Sequence, residues 1–465
     1  MTVKEILEAT EGQLVQGNPE AVVAGISTDT RKLKKGDLFV PLCGKSFDGH
    51  AFIAEALSRG AAAVLSSRPP ATDAFPGALI QVEDTLMAFH LLARAHRMRF
   101  PVPVVAITGS CGKTSTKDYT AHVLSGRFRT LCSKENFNNE YGVPMTMLEL
   151  APEHEVLVLE MAMRGRGQIR ELAETARPTI GVITNVGESH HELLGSTKDI
   201  ALAKRELLEA MDPAGTAVLN GDDPLVSSFR EVYRGRTLMF GFGDSPISAS
   251  NLVPGSTGTR FTLTFEGDSR DCRVPILGAH SIRNILAAAG VALVLGMDLD
   301  SICFRLGTIK PSARRLERLK TRAGWTLLDD SYNANPQSVA EALSTLKLLP
   351  VSGRRIAVLG DMLELGKIAG EAHGRIGRLV LDAGVDALHT VGSLGSLITE
   401  SAVAAGLART RAGHWDDKEA LVKELFSCLS PDDVVLVKGS RGMRLDEVSD
   451  SLLALGGGAA EETGV

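Results

Sequence analysis

Apolar and polar positions alternate on two length scales along this chain. Between residues 104 and 220, four short apolar runs, "VVAIT", "EVLVLE", "IGVITN" and "TAVLN", are separated by stretches of helical period such as 115–124 and 199–211. Continuous β-branched runs between helices predict parallel strands buried on both faces. Residues 258–267, "GTRFTLTFEG", instead alternate apolar with polar, as a half-solvated antiparallel strand does. After residue 317 the first rhythm returns in "RIAVLGD", "ALHTVG" and "DVVLVKGSRG", each run ending on glycine or a polar residue.

The breaks in this rhythm divide the chain. "RFPVPV" (99–104) has two prolines just ahead of a strand and reads as a linker. "TIKPSARRLE" (308–317) marks a second boundary. Residues 1–100 mix short strands and helices, 101–310 carry the main strand–helix repeat, and 311–465 form a smaller α/β unit. The tail "GGGAAEETGV" is expected to fray. A chain of 465 residues is too long for one ordinary core, which agrees with several domains.

Composition narrows the class. With 44% hydrophobic and 23% charged residues the chain reads as globular. A net charge of −6 argues against broad nucleic-acid binding. No apolar run approaches the roughly 18 residues of a membrane span, and "MTVKEILEAT" lacks the apolar stretch of a signal peptide. Six scattered cysteines without a CxxC pair read as free thiols in a reducing cytoplasm.

The chemistry concentrates where the first strand of the repeat stops, in "VVAITGSCGKTSTK". A glycine turn at a strand's carboxyl end that opens a helix presents unpaired amides to an anion. Gly109 and Gly112 let the backbone curl close to a phosphate. Ser110 and Ser115 flank the turn, Lys113 brings positive charge, and Thr114 offers a hydroxyl to Mg²⁺. The spacing is GxxGKT; the longer GxxxxGK[ST] form would need glycine at Ile107. Three further residues sit where such a site wants them. Glu160 ends "EVLVLE", His190 follows "IGVITN", and Lys204 lies in the helix "IALAKRELLEA". Taken singly, Glu160 reads equally as a solvated terminal charge, His190 as a surface residue, and Lys204 as an ordinary solvated lysine.

Taken together, "STDTR", "GDLFVPLCGKSFDGHAF", "TGSCGKTSTK", "NFNNEYGVP", "LEMAMRGRGQI", "TNVGESHHELLGS", "AKRE", "GAHSIRNILAA", "DDSYNANPQS", "VLGDMLELG" and "VKGSRG" resemble the Mur ligases. These are ATP-dependent amino-acid ligases of peptidoglycan precursor synthesis. The stretches span residues 27–442, and "DDSYNANPQS" with "VLGDMLELG" resembles the D-alanyl-D-alanine-adding branch.

The resemblance implies an α/β fold of three domains. One for the UDP-sugar would be followed by a central P-loop-type ATPase with a mainly parallel sheet, and then by a C-terminal Rossmann-like domain that closes over ATP. It implies UDP-N-acetylmuramoyl-tripeptide and D-alanyl-D-alanine as partners, joined through an acyl phosphate by a monomer that neither binds nucleic acid nor enters a membrane. Lys113 and Thr114 would meet the phosphates and a first Mg²⁺; Glu160 and His190 would ligate Mg²⁺. Lys204 matches the lysine these enzymes carry as a carbamate, which turns a cation into a carboxylate beside the metal. Lys113, Lys204 and His190 would be the catalytic set. Asn284 matches an adenine contact, Arg315 a phosphate contact, and Asp330 a position near the ribose. Asn138 and Asn139 match positions near the sugar-peptide. Ser27, Tyr332, Asn333 and Ser440 are substrate-side candidates, and the segment around Arg31, Lys34, Lys35 and Lys45 would take the UDP diphosphate.

Two positions depart from the family pattern. Cys111 stands where asparagine is usual, at a helix N-terminus where a thiol pKa tends to fall, which predicts oxidation-sensitive activity. Ala162 stands where glycine is common. Folylpolyglutamate synthase, a Mur ligase adding the third residue, and a nucleotide-dependent switch without ligation are the rival readings.

Overall fold

A computed structural model describes residues 1–44, 47–69, 76–189 and 191–460. Three large sheets follow one another along the chain, with a small two-stranded sheet of Cys43–Gly44 and Phe47–Asp48 in the first segment. The first runs in the order Gln13–Gln16, Ala78–Gln81, Ala63–Ser66, Leu38–Phe39, Ile26–Ser27, with only the first pair antiparallel. The helix Thr85–Met98 leads from it to the second.

The central sheet has nine strands. From one edge they are Asp268–Val274, Thr259–Phe265, Ile247–Pro254, Arg236–Gly241, Thr216–Asn220, Ile180–Ile183, Val104–Thr108, Val156–Glu160 and Thr130–Cys132. The six strands from Arg236–Gly241 to the Thr130–Cys132 edge pair in parallel, and Thr259–Phe265 is antiparallel to both neighbours. All five residues of Val104–Thr108 are buried because successive side chains enter different cores. Val105 and Ile107 pack on one face with residues of the helices Lys113–Leu124 and Ala279–Val294. Val104 and Ala106 pack on the other with residues of Gln168–Ala176 and Thr197–Glu209. A strand covered on both sides has no polar face, which is why its sequence shows no alternation.

The third sheet orders Glu317–Lys320, Thr326–Asp330, Val434–Lys438, Arg355–Gly360, Ala387–Val391, Ala412–Trp415, parallel except for the first pair. It too is covered on both faces, with Leu328, Ala357, Leu359 and Leu436 on one side and Leu327, Ile356, Val358 and Val437 on the other.

Three local expectations shift. The helix after the glycine turn begins at Lys113 rather than residue 115, because Gly112 caps it at φ +77°. The lysine-bearing helix begins at Thr197, where the Ser196 hydroxyl accepts from Asp199 N. The tail does not fray over 456–460: Ala460 N donates to Lys320 O at 2.7 Å, and Ala459 bridges Thr321. Residues 461–465 lie outside the described residues.

The third sheet sits over the glycine turn. Arg315 Nη2 donates to Thr114 Oγ1 at 2.8 Å, Ser312 Oγ to Asp118 Oδ2 at 2.6 Å, and Arg375 Nη2 to Glu188 Oε2 at 2.5 Å. These contacts enclose a cavity of about 1100 Å³ between the two sheets.

Candidate active site

The floor of the cavity is built from carboxyl ends of neighbouring parallel strands. Val104–Thr108 lies between Val156–Glu160 and Ile180–Ile183, with Ile107 opposite Glu160 and Thr108 opposite Ile183. The glycine turn, Glu160 and Asn185 therefore emerge at one edge.

The turn is clasped by its neighbour. Ser110 N donates to Asn185 O at 2.9 Å, Cys111 N to Asn185 Oδ1 at 2.8 Å, and Thr184 Oγ1 to Cys111 O at 2.6 Å. Gly187 N donates to Ser110 Oγ at 2.8 Å. Glycine is required at 109, where φ is +154° and a Cβ would stand 1.9 Å from Thr184 Oγ1. At Gly112 a Cβ would meet Asn284 Oδ1 at 2.3 Å. Among the described residues no hydrogen bond takes the amides of Gly112, Lys113, Thr114 or Ser115. Four donors at a helix N-terminus thus face the cavity, the arrangement an anion needs. Lys113 Nζ donates to Gly109 O at 2.9 Å and Ser110 O at 3.2 Å, holding the cation over the turn. Burial lowers its pKa, against the attraction of Glu160.

Glu160 is 1% exposed. Its Oε1 accepts from Asn138 Nδ2 at 2.7 Å, while Oε2 has no partner among the described residues. A buried carboxylate oxygen left bare is costly unless something cationic completes it. Glu160 and the Thr114 hydroxyl therefore fit a hard divalent cation, which takes oxygen donors. Asn138 also accepts from Ala162 N at 2.8 Å through its carbonyl, so alanine there is accommodated. Asn139 lines the cavity, but its Oδ1 accepts from Tyr141 N and Gly142 N at the start of the next helix. His190 lies outside the described residues.

Lys204 is 2% exposed on the helix Thr197–Glu209 and makes no hydrogen bond among the described residues. Burial, and then the charge of Lys113, push its pKa well below the ordinary lysine value. It is not the solvated lysine that its helical setting alone would suggest.

The upper wall comes from the third sheet. Asp330 ends Thr326–Asp330, and its Oδ2 accepts from Lys438 Nζ at 2.6 Å. Lys438 also donates to Asn333 O at 3.0 Å. Tyr332 lies under two guanidiniums, Arg315 at 4.0 Å and Arg441 at 5.5 Å from the ring centroid. Asn333 Oδ1 accepts from Arg441 N at 3.1 Å. Ser440 donates to Ala334 O at 3.0 Å and accepts from Leu363 N at 2.8 Å, so its hydroxyl is committed to the protein. Asn284, buried on the helix Ala279–Val294, closes the end beside Gly112.

Cys111 departs from its expectation. Its thiol meets Asn335, with Nδ2 at 3.1 Å and Oδ1 at 3.4 Å. Burial raises its pKa, Glu341 adds to the rise, and the Asn335 bond only opposes them. The helix N-terminus is present, but the thiol is half-buried and desolvation raises its pKa.

The N-terminal candidates lie apart. Ser27 does not line the cavity; its hydroxyl donates to Asp29 O at 2.9 Å. Arg31 folds back on Asp29 at 2.8 Å, and this bond holds the Asp29 carboxyl at a pKa of about 2. Lys45 lies outside the described residues.

Lys438, Asn185, Asn335 and Arg441 were missed as site residues. Lys438 had a signal: it is a charge closing an apolar strand in "VVLVKG", as Glu160 closes "VLVLE". Asn185 had none, since its Cys111 partner lies 74 residues away; Asn335 reads locally as the N-cap of Pro336–Leu348, accepting from Ser338 N at 2.8 Å, but its contact with Cys111 spans 224 residues.

Comparison with known proteins agrees with this architecture. Residues 22–97 match the Mur ligase family catalytic domain, 107–292 the Mur ligase middle domain, and 314–441 the Mur ligase glutamate ligase domain. The chain is 36% identical over 454 residues to UDP-N-acetylmuramoyl-tripeptide–D-alanyl-D-alanine ligase of Bacillus subtilis, covering 97% of this chain and 98% of the relative. A crystal structure of MurF from Acinetobacter baumannii superposes with a TM-score of 0.89 at 28% identity, covering 97% of this chain and 98% of that one. MurF from Thermotoga maritima in complex with ADP gives 0.85 at 28% identity, covering 93% and 98%.

Proposed function

The chain belongs to the Mur ligase family, and we propose that it joins D-alanyl-D-alanine to UDP-N-acetylmuramoyl-tripeptide at the expense of ATP. The observation that carries this reading is the cavity itself. The open amides of 112–115, Lys113 and the half-satisfied Glu160 face the "DDSYNANPQS" wall across one enclosed space. The division into a UDP-sugar domain (1–100), an ATP domain (101–310) and a ligase domain (311–465) belongs to the same reading.

The terminal carboxylate of the tripeptide attacks the γ-phosphate, giving an acyl phosphate and ADP. The free amine of D-alanyl-D-alanine then attacks the acyl carbon, and inorganic phosphate leaves. Two anions must meet in the first step. Lys113 and the helix N-terminus lower that repulsion and the charge of the transition state. Ser110, Ser115 and Gly109 shape the turn; Asn284 would receive the adenine, Asp330 the ribose side, and Arg315 a phosphate. Asn138, Asn139, Tyr332 and Asn333 would face the sugar-peptide and dipeptide, and Ser27 the UDP-sugar.

Thr114, Glu160, His190 and a carbamylated Lys204 would hold Mg²⁺, which when bound neutralises phosphate charge. Only an unprotonated amine adds carbon dioxide, forming the N–C bond and releasing a proton, and burial lowers the Lys204 pKa in the direction that favours that form. Closure of the third-sheet domain over the bound substrates would keep water from the acyl phosphate. A nucleotide-linked substrate supports a cytoplasmic location.

Phosphate release measured with ATP plus each acceptor, singly and together, tests the reading. Release that needs both UDP-N-acetylmuramoyl-tripeptide and D-alanyl-D-alanine is expected. ATP hydrolysis indifferent to the dipeptide would overturn it.

A further inference from the structure

The incoming dipeptide is a zwitterion. Its amine reacts, so its carboxylate enters the cavity as an unreacted charge. Leaving that charge unpaired under a closed domain would be costly, and a guanidinium that offers two parallel N–H groups is its best complement.

Most cations lining the cavity are already engaged. Lys438 is locked to Asp330 and Asn333 O. Arg283 holds Asp222 at 2.8 Å and covers Phe242. Arg315 is bonded to Thr114, and Lys113 to the turn carbonyls. Arg441 differs. Its side chain is 62% exposed, and its one ion pair reaches Asp446 at 3.4 Å, a carboxylate that Arg314 also approaches at 3.2 Å. Arg164 is uncommitted too among the described residues, but it follows the Glu160 strand on the opposite, central wall.

Arg441 lines the same cavity as the glycine turn, on the wall supplied by the third sheet. A connected path runs from the Thr114 hydroxyl to Arg315, then to the Tyr332 ring, then to Arg441 on the same ring. An acceptor whose amine reacts beside the phosphates and whose backbone lies along Tyr332 brings its carboxylate to the second cation on that ring, Arg441. We infer that Arg441 binds the C-terminal carboxylate of the dipeptide, with Tyr332 as the platform beneath it. Acceptors that lack a free carboxylate there are thereby excluded. The inference rests on the ligase reading above and names the acceptor subsite of that same cavity.

Initial rates of phosphate release at saturating ATP and UDP-N-acetylmuramoyl-tripeptide test it, with D-alanyl-D-alanine or D-alanyl-D-alaninamide as acceptor. In the unaltered protein the amide should show a KM about ten- to hundredfold higher. Arg441→Gln should raise the KM for the acid by a similar factor, leave the ATP KM in place, and use acid and amide alike. Arg441→Lys should recover part of the preference. Equal use of acid and amide by the unaltered protein would overturn the inference, as would a preference for the acid that survives Arg441→Gln. The acceptor comparison and Arg441→Lys carry the test if Arg441→Gln folds poorly. Ligation that proceeds without these effects refutes the subsite alone. An unaltered protein that shows no response to D-alanyl-D-alanine refutes the ligase reading and the subsite with it.

Discussion

Arg315 donates to the Thr114 hydroxyl at 2.8 Å across 201 residues of sequence, and its guanidinium also covers Tyr332 at 4.0 Å. One side chain thus ties the helix that opens on the glycine turn to the opposite wall of the cavity. Arg315→Ala should lower kcat/KM for ATP about tenfold or more while moving the melting temperature little. Arg315→Lys should not restore it, because an ammonium cannot both stack and fork. Steady-state kinetics with a thermal melt on each variant check this.

Lys113 carries the positive charge of the turn. Lys113→Ala should reduce ligation about 10²- to 10³-fold or more, with the fold retained. Phosphate release together with circular dichroism checks the pair of outcomes; normal turnover would remove the phosphate role.

Lys204 is buried, and its surroundings push its pKa well below the ordinary lysine value. Lys204→Ala should abolish ligation, and short carboxylic acids should restore part of it by standing in for the carbamate. Full activity without added acid would dismiss the carbamate. Rescue titrations with acetate and formate provide the measurement.

The Cys111 thiol has a raised pKa under its lid. At neutral pH it is protonated, so alkylation by iodoacetamide should be slow compared with a free cysteine peptide. Peptide mapping after timed alkylation measures it. Rapid labelling of Cys111 at pH 7 would return the thiolate first expected.

Asp433 accepts from Arg354 N at 2.8 Å, Arg354 Nη2 at 2.6 Å and Ser430 N at 2.9 Å. Burial pushes its carboxyl up, but these donors outweigh burial and the pKa falls below the ordinary value. A depressed folded pKa contributes stability that is present above the unfolded value, near about 3.9, and is lost as pH falls through the folded one. Asp433→Asn should cost about 1–3 kcal/mol at pH 7 and flatten the acid limb. Urea melts at pH 7 and pH 3 on both proteins check the sign.

The sites split by how local their causes are. Glu160 and Lys438 each close an apolar strand, and a charge in that place is visible in a single run of residues. Gly109 could be read as a turn, but its need for glycine arises from Thr184, which approaches from the neighbouring strand. Cys111 sits at a helix N-terminus, a local feature, whereas the desolvation that raises its pKa comes from distant residues. Ser440 lines the cavity, and its hydroxyl bonds to Ala334 O and Leu363 N, partners its own segment does not reveal.

What the sequence determined alone is the set of parallel strands, the turn after Val104–Thr108 and the family they imply. Apolar runs, glycine and helix caps act within a few residues, so their consequences are written next to them. Tertiary structure decided which amides of the turn stay open, which oxygen of Glu160 stays bare, and which cations remain free. Those outcomes depend on desolvation and on partners brought from up to 224 residues away, and no local pattern encodes the water that folding removes.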